Sequence, residues 1–538
     1  MCSVENVQRS NVLQNNPLVS LPNGRCRINQ LPPEILSIIF KHGVENRNSP
    51  KPEDLVEEEQ DSCDDETPSS ASSDLSEEEP DSCNDETSSS ASSDLSECLP
   101  FAFLVSRICK LWRNVALEMP SLWTAIRVFN TECHPYERVV AYLERSKSLP
   151  LAICLDHLSR EALWSSSVEN DNLKALLALL VPHLSRWASI QFGVTCYDHM
   201  YTFLKAVSDP SVPPATRLQD LELFYSSDVL GPQASLSEFP HLTLFGGFAP
   251  LLKIVVLMGV HIDWSQDWLR SAPNLRKLCL SCHHMNVRPS WDAFSAILRG
   301  APALETFDVG YSGPRDYPGE PLLLPNLSEL NLTTSPPQEV ISLLGKLSTP
   351  ALKTLTLDFG SELSDYSGLV TRLAGPATRA MLLPVEQPCS LLRSLETLRI
   401  KDLQCDDESA EILYRELVNL KVFDLPRCRV PWTFFELLYP RWLTASGDFD
   451  SFPPRHPQSR FVTFLPSLKD LFISGAYSCD IVRLAVLRRD AGVPLRAIFM
   501  TPRHPMEPSD MAWLRNNLEK FEIIDDPNNE VLEGEDVA

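Results

Sequence analysis

Cys279, Cys282, His283 and His284 stand together as Cys-Leu-Ser-Cys-His-His, the one place in this sequence where thiol and imidazole groups crowd. Such side chains could hold zinc. A structural zinc site takes four ligands, usually as two spaced pairs, and no second pair stands at a suitable distance along the chain. The cluster therefore reads as the end of a strand, and neither a metal nor a cofactor is expected. The phosphate cradles G-x-x-x-x-G-K-[ST] and G-x-G-x-x-G are missing. So are the nucleophile elbow G-x-S-x-G and the metalloprotease helix H-E-x-x-H. Eleven histidines and many carboxylates are scattered without evident pairing. The chain is expected to perform no bond chemistry itself, although a site gathered from distant residues would leave no local trace.

The elements around these residues are repetitive. From about residue 180 a pattern apolar-x-x-apolar-x-apolar recurs twelve times. It begins at Trp187, Leu218, Leu252, Leu275, Leu304, Leu327, Leu352, Leu395, Leu420, Leu468, Leu495 and Leu518. This is the signature of leucine-rich repeats, in which alternate apolar residues of a short strand point inward and each repeat needs neighbours to complete its core. Some of the twelve are expected to be chance occurrences in a leucine-rich chain. The two long gaps, 352–395 and 420–468, are expected to hold insertions or degenerate repeats. Cys428 would supply the Asn/Cys position of its repeat, which most other repeats lack. Helical patterns lie between strands at 335–347, 408–420 and 479–492. The predicted class is α/β: a short N-terminal helical module, then an irregular solenoid with parallel strands inside and helices outside. The outward strand positions include Glu222, Asp308, Asn331, Thr356, Arg399, Asp424 and Phe472. They are the candidate substrate-binding residues, and their acidity suggests a basic ligand segment.

Charge and composition limit the partners. The 538 residues carry a net charge of −25, with 43% hydrophobic and 22% charged residues. A chain this acidic repels phosphate backbones and anionic lipid heads, which argues against nucleic acid or a membrane as main partner. No apolar run reaches membrane-spanning length, and the first residues lack the apolar core of a signal peptide. Fifteen scattered cysteines suit reduced thiols, so an intracellular location, cytoplasmic or nuclear, is expected. Between Lys51 and Glu97 there are eighteen acidic residues and one lysine. This serine-rich stretch has too little apolar surface to offset its chain entropy and is predicted to be disordered. It contains a tandem copy, Asp61–Pro80 and Asp81–Pro100, matching at sixteen of twenty positions. The copy reads as slippage in a tolerant loop or as a regulatory segment. Ser62, Ser76 and Ser82 each precede an acid by three residues and are candidate phosphorylation sites.

Two apolar helical pieces flank that insert. Ile28–Gly43 opens on Pro32 and Pro33, presents Ile35, Leu36, Ile39 and Phe40 on one broad face, and has Gly43 as a plausible stop. Beyond the insert, Leu104, Ile108, Leu111, Trp112, Val115 and Ala116 form a helical stripe that Pro120 ends, with Leu122 and Trp123 as an anchor. The predicted organisation is a disordered 1–27, a helical module at 28–128 interrupted at 46–98, and a linker helix and first strand at 129–180. The solenoid follows at 181–524, then an acidic tail at 525–538.

L-P-x-E-I-L-x-x-I-F at Leu31–Phe40, V-S-R-I-C-K-x-W-R-x-V-A at Val105–Ala116 and P-S-L-W at Pro120–Trp123 resemble an F-box. The likeness is to the F-box-like form frequent in mushroom-forming fungi. It covers about fifty residues, and the long acidic insert departs from the family's pattern. The resemblance implies docking on a Skp-type adaptor and, through it, a cullin–RING ubiquitin ligase. By position, Leu31, Pro32, Ile35, Leu36, Ile39 and Phe40 would carry the first half of that contact. Val105, Cys109, Trp112 and Trp123 would carry or support the second. The implied function is a substrate receptor that holds an unknown protein substrate on its repeats. The alternative is an interaction scaffold outside any ligase.

Overall fold

The computed structural model describes residues 28, 31–48, 101–129, 135–157, 166–225, 242–333, 336–359, 365–375, 390–401, 403–425, 432–443, 449–450, 461–502 and 504–524. The chain divides into two compact units, Met1–Arg127 with Pro135–Ala152, and Val128–His134 with Ile153–Ala538. The candidate phosphorylation sites Ser62, Ser76 and Ser82, and Cys428, lie outside the described residues.

In the first unit, α1 (Pro33–Asn48) starts where Pro33 lacks only an N–H that would have no helical partner. Leu36 N–H donates to the Pro32 carbonyl at 3.1 Å. The helix does not stop at Gly43. That glycine instead makes room for a neighbour: a Cβ there would lie 2.2 Å from Cζ of Phe101. The predicted stripe across 104–116 is not one helix but two, α2 (Phe101–Ile108) and α3 (Lys110–Glu118). The break is at Cys109, which is extended and caps α3 by accepting the Trp112 N–H on its sulfur at 3.5 Å. A 3-10 turn, Pro120–Trp123, follows, and Trp123 Nε1 donates to the Ala116 carbonyl at 2.8 Å. The helix α4 (Glu137–Arg145) puts Tyr142 edge-on to Trp123, with ring centroids 5.1 Å apart. Phe40 packs on Phe101 and Trp112 at 6.4 and 5.1 Å. These aromatics supply most of a small unit's core.

Fourteen strands form one sheet whose neighbours follow chain order, and all but the first two lie wholly in the second unit. The short β1 (Ala125–Phe129) and β2 (Leu151–His157) come first. They are followed by β3 (Trp187–Val194), β4 (Asp220–Tyr225), β5 (Ile254–Met258), β6 (Lys277–Ser281), β7 (Thr306–Gly310) and β8 (Glu329–Thr333). Then come β9 (Thr354–Asp358), β10 (Thr397–Lys401), β11 (Val422–Leu425), β12 (Asp470–Ala476), β13 (Ala497–Pro502) and β14 (Lys520–Ile523). All twelve motifs of the sequence, including those expected to be chance, are strands of this sheet, and every pairing from β3 onward is parallel. This is a leucine-rich-repeat architecture. The strands alternate: Leu221, Val255, Leu278, Phe307, Leu330, Leu355, Leu398 and Phe423 are buried in register, while the residues between them are half-exposed or, at Arg399, exposed. Helices fall at Pro337–Lys346, Asp407–Glu416 and Ser478–Asp490, close to the predicted spans. Asp406 caps the second of these by accepting the Ser409 N–H at 2.7 Å.

The repeats are tied by a ladder that the search for an Asn/Cys position after the strand did not anticipate. It lies just before the motif's first leucine. Asn274, Asn326 and Asn419 each donate Nδ2 to a carbonyl of the preceding repeat, on Pro250, Pro302 and Arg393, at 3.3, 2.9 and 2.8 Å. Ser467 does the same to Val418 at 2.9 Å. Of the two long gaps, the second holds an insertion with its own antiparallel sheet, in which Arg441–Leu443 pairs with Phe449–Asp450 and Phe461–Val462.

Candidate functional site

In the first unit the predicted adaptor face separates into two populations. Leu36 and Phe40 are wholly buried, Val105, Trp112 and Trp123 are buried, and Cys109 is half-buried and committed to its capping bond. They hold the unit together, and a partner cannot touch Leu36 or Phe40 without opening it. Pro32, Ile35 and Ile39 are exposed, and Leu31 is half-exposed. The sequence reading missed Ile38, which is 53% exposed beside Ile35 (43%) and Ile39 (39%), and it set Ile108, which is 59% exposed, in the apolar stripe without assigning it to the contact. Spacing explains the division. Leu36 and Phe40 are four apart and share the inward face; Ile35, Ile38 and Ile39 are three and four apart and share the outward one. A 3.6-residue period was visible in the sequence, but five apolar residues within Ile35–Phe40 do not say which stripe faces in.

In the second unit, the seven predicted surface positions lie in one row across the sheet. Strand register joins Gln191, Glu222, Val256, Cys279, Asp308 and Asn331 side by side. It continues through Thr356, Arg399, Asp424, Phe472, Phe499 and Glu522. Gln191, Val256, Cys279, Phe499 and Glu522 were missed, although the same motif position identifies them. Phe472 and Phe499 stack with centroids 4.3 Å apart, and Lys520 lies 4.7 Å above the Phe499 ring. Arg399 bonds Asp424 at 2.7 Å; Lys277 sits 3.5 Å from Asp308, which also accepts from Asn331 at 2.5 Å. Burial against the sheet raises the pKa of Asp308 and Asp424 despite these partners. Asp220 and Glu222 are raised as well, Glu222 by burial first and by the neighbouring Asp220 charge second.

The side chains of the cysteine–histidine cluster do not converge on one point. Cys279 points to the half-exposed sheet face, and burial raises its pKa to about 12. The Cys282 thiol is also raised by burial. Neither is therefore a ready thiolate. His283 is buried, with Nδ1 2.8 Å from the Ser312 hydroxyl. Among the described residues no group of three or more His, Cys, Asp or Glu side chains is placed to hold a metal ion. Among them, too, no helix is long and apolar enough to cross a membrane.

No family model matches this chain, and no curated protein matches it. Solved structures with which it aligns include the crystal structure of a TLR13–ssRNA13 complex, at 15% identity and a TM-score of 0.33. That alignment covers 73% of this chain, which spans 44% of that one. An internalin, inlF, from Listeria monocytogenes aligns at 13% identity and a TM-score of 0.26, over 67% of this chain and 90% of the other. The repeat architecture stands on the strand register and burial described above.

Proposed function

We propose that the chain is a substrate receptor: its first unit docks on a Skp-type adaptor of a cullin–RING ubiquitin ligase, and its repeats hold a protein substrate. The observation that carries this reading is the outward stripe Ile35, Ile38 and Ile39 on α1, left uncovered while Leu36 and Phe40 of the same helix are completely buried. Exposed isoleucines in contiguous helical positions are costly in water and are the usual mark of a surface that another polypeptide covers. The chain would supply no catalytic group. Its mechanism is proximity, raising the effective concentration of substrate lysines near the loaded ubiquitin-conjugating enzyme.

The test is titration of the purified full chain with a purified Skp-type adaptor by isothermal calorimetry. Binding is expected, and Ile35→Asp and Ile39→Asp should each weaken it by about tenfold or more, a loss of about 1.4 kcal/mol or more apiece. Circular dichroism should show both variants folded. Leu36 and Trp112 are unsuitable probes because their substitution opens the core. No binding by the wild-type chain would leave a repeat scaffold outside the ligase.

A further inference from the structure

Strand β5 departs from its neighbours. Its half-exposed positions are Ile254, Val256 and Met258, so the strand is apolar on both faces. Strands with one face in water normally alternate apolar and polar residues; those apolar throughout are covered on both sides. Phe224 on β4 pairs in register with Met258 and widens the apolar column. Beside that column, Asp220 and Glu222 project from the same face of β4, in register with Ile254 and Val256. Neither accepts a hydrogen bond or forms an ion pair among the described residues. The nearby Lys253 and Lys277 charges offset them only in part, since the Lys253 ammonium is bonded to Gln219 at 2.7 Å and Lys277 lies against Asp308. Two carboxylates two residues apart on one strand repel each other, and partial burial withholds water from both.

We propose that this patch binds a protein segment of basic and apolar character, one apolar side chain seated on Val256, Met258 and Phe224 and an arginine or lysine set against Asp220 and Glu222. The charge is complementary in both sign and place. A cation over the outer face of β4 removes the repulsion between the two carboxylates, and the adjacent apolar side chain covers the β5 column. This names the recognised segment for the repeat face and rests on the reading that the repeats bind protein. It does not depend on the adaptor.

The full chain is titrated into a short fluorescein-labelled peptide with arginine and leucine at alternate positions, read by polarisation. Two companions carry glutamate for arginine or serine for leucine. The arginine–leucine peptide should bind, weaken as salt rises, and exceed each companion by about tenfold. Glu222→Lys and Val256→Lys should each weaken it about tenfold, while Gln338→Lys, an exposed position on the helix Pro337–Lys346 and outside that row, leaves it unchanged. Glu222→Gln, which keeps shape and removes charge, gives an intermediate loss and guards against misfolding. Equal binding of the serine peptide, an equal loss with Gln338→Lys, or no binding at all overturns the proposal. So does self-association of the chain that Val256→Lys abolishes, which would assign the patch to a second copy. Because no adaptor is present, a failure here leaves the receptor reading standing, and failed adaptor binding leaves this one.

Discussion

Arg488 is fully buried, and among the described residues it forms no ion pair with a carboxylate. Its guanidinium instead donates to three carbonyls: Nη1 to Leu438 and Phe464, Nη2 to Leu465, at 3.0, 3.3 and 2.8 Å. Burial lowers its pKa to about 10, so it remains charged at neutral pH. Arg488→Met should destabilise the second unit by about 3 kcal/mol or more, because charge-assisted bonds are lost and carbonyls are left unpaired. Thermal denaturation followed by circular dichroism measures this. His283 gives a pH prediction. Burial is the main cause, with the His261 and Arg288 charges adding to it, of a pKa lowered to about 3. A folded-state value below the unfolded 6.5 means that its contribution to stability is complete above pH 6.5. It falls as pH drops from 6.5 toward 3, by up to about 1.4 kcal/mol per pH unit. Urea melts across that window should show the slope, and His283→Asn, which keeps a donor for Ser312, should flatten it.

Elements are held by close approaches more than by propensity. In α1, Gly43→Ala should destabilise the first unit, since the added Cβ would lie 2.2 Å from Cζ of Phe101 and the ring must shift from its packing on Phe40. A loss of about 1–3 kcal/mol is expected, read by the near-ultraviolet signal of the surrounding aromatics. The Asn/Ser ladder between repeats acts at the strand entrances. Asn326→Ala breaks a bond at a partly hydrated site, so about 0.5–1.5 kcal/mol is the expected cost.

At the scale of the whole molecule, a parallel ladder in chain order makes each repeat depend on its immediate neighbours. Leu355→Ala, in the completely buried row of β9, should cost about 2–5 kcal/mol. Hydrogen exchange should accelerate in β8 to β10 before it does so in β3 or β13, because a quasi-linear array transmits disturbance to adjacent repeats first. An equal acceleration at every strand would mean a single cooperative body instead.

The sequence by itself determined the strand array. An apolar residue at fixed offsets in every repeat has one arrangement that buries them all, and even motifs as degenerate as Trp187-x-x-Ile190-x-Phe192 obeyed it. The outward row was legible for the same reason, since a two-residue period fixes which side chains share a face. Only the tertiary structure decided how the N-terminal helices divide their apolar residues. Leu36 and Ile35 are chemically alike and adjacent, and the position of Phe101 and Trp112 across the turn determines which is enclosed. It also decided that Gly43 is a contact rather than a stop, and that Cys109 breaks a stripe whose periodicity runs straight through it. Periodicity reports that a face is apolar; what lies against that face is a long-range contact, which local spacing does not encode.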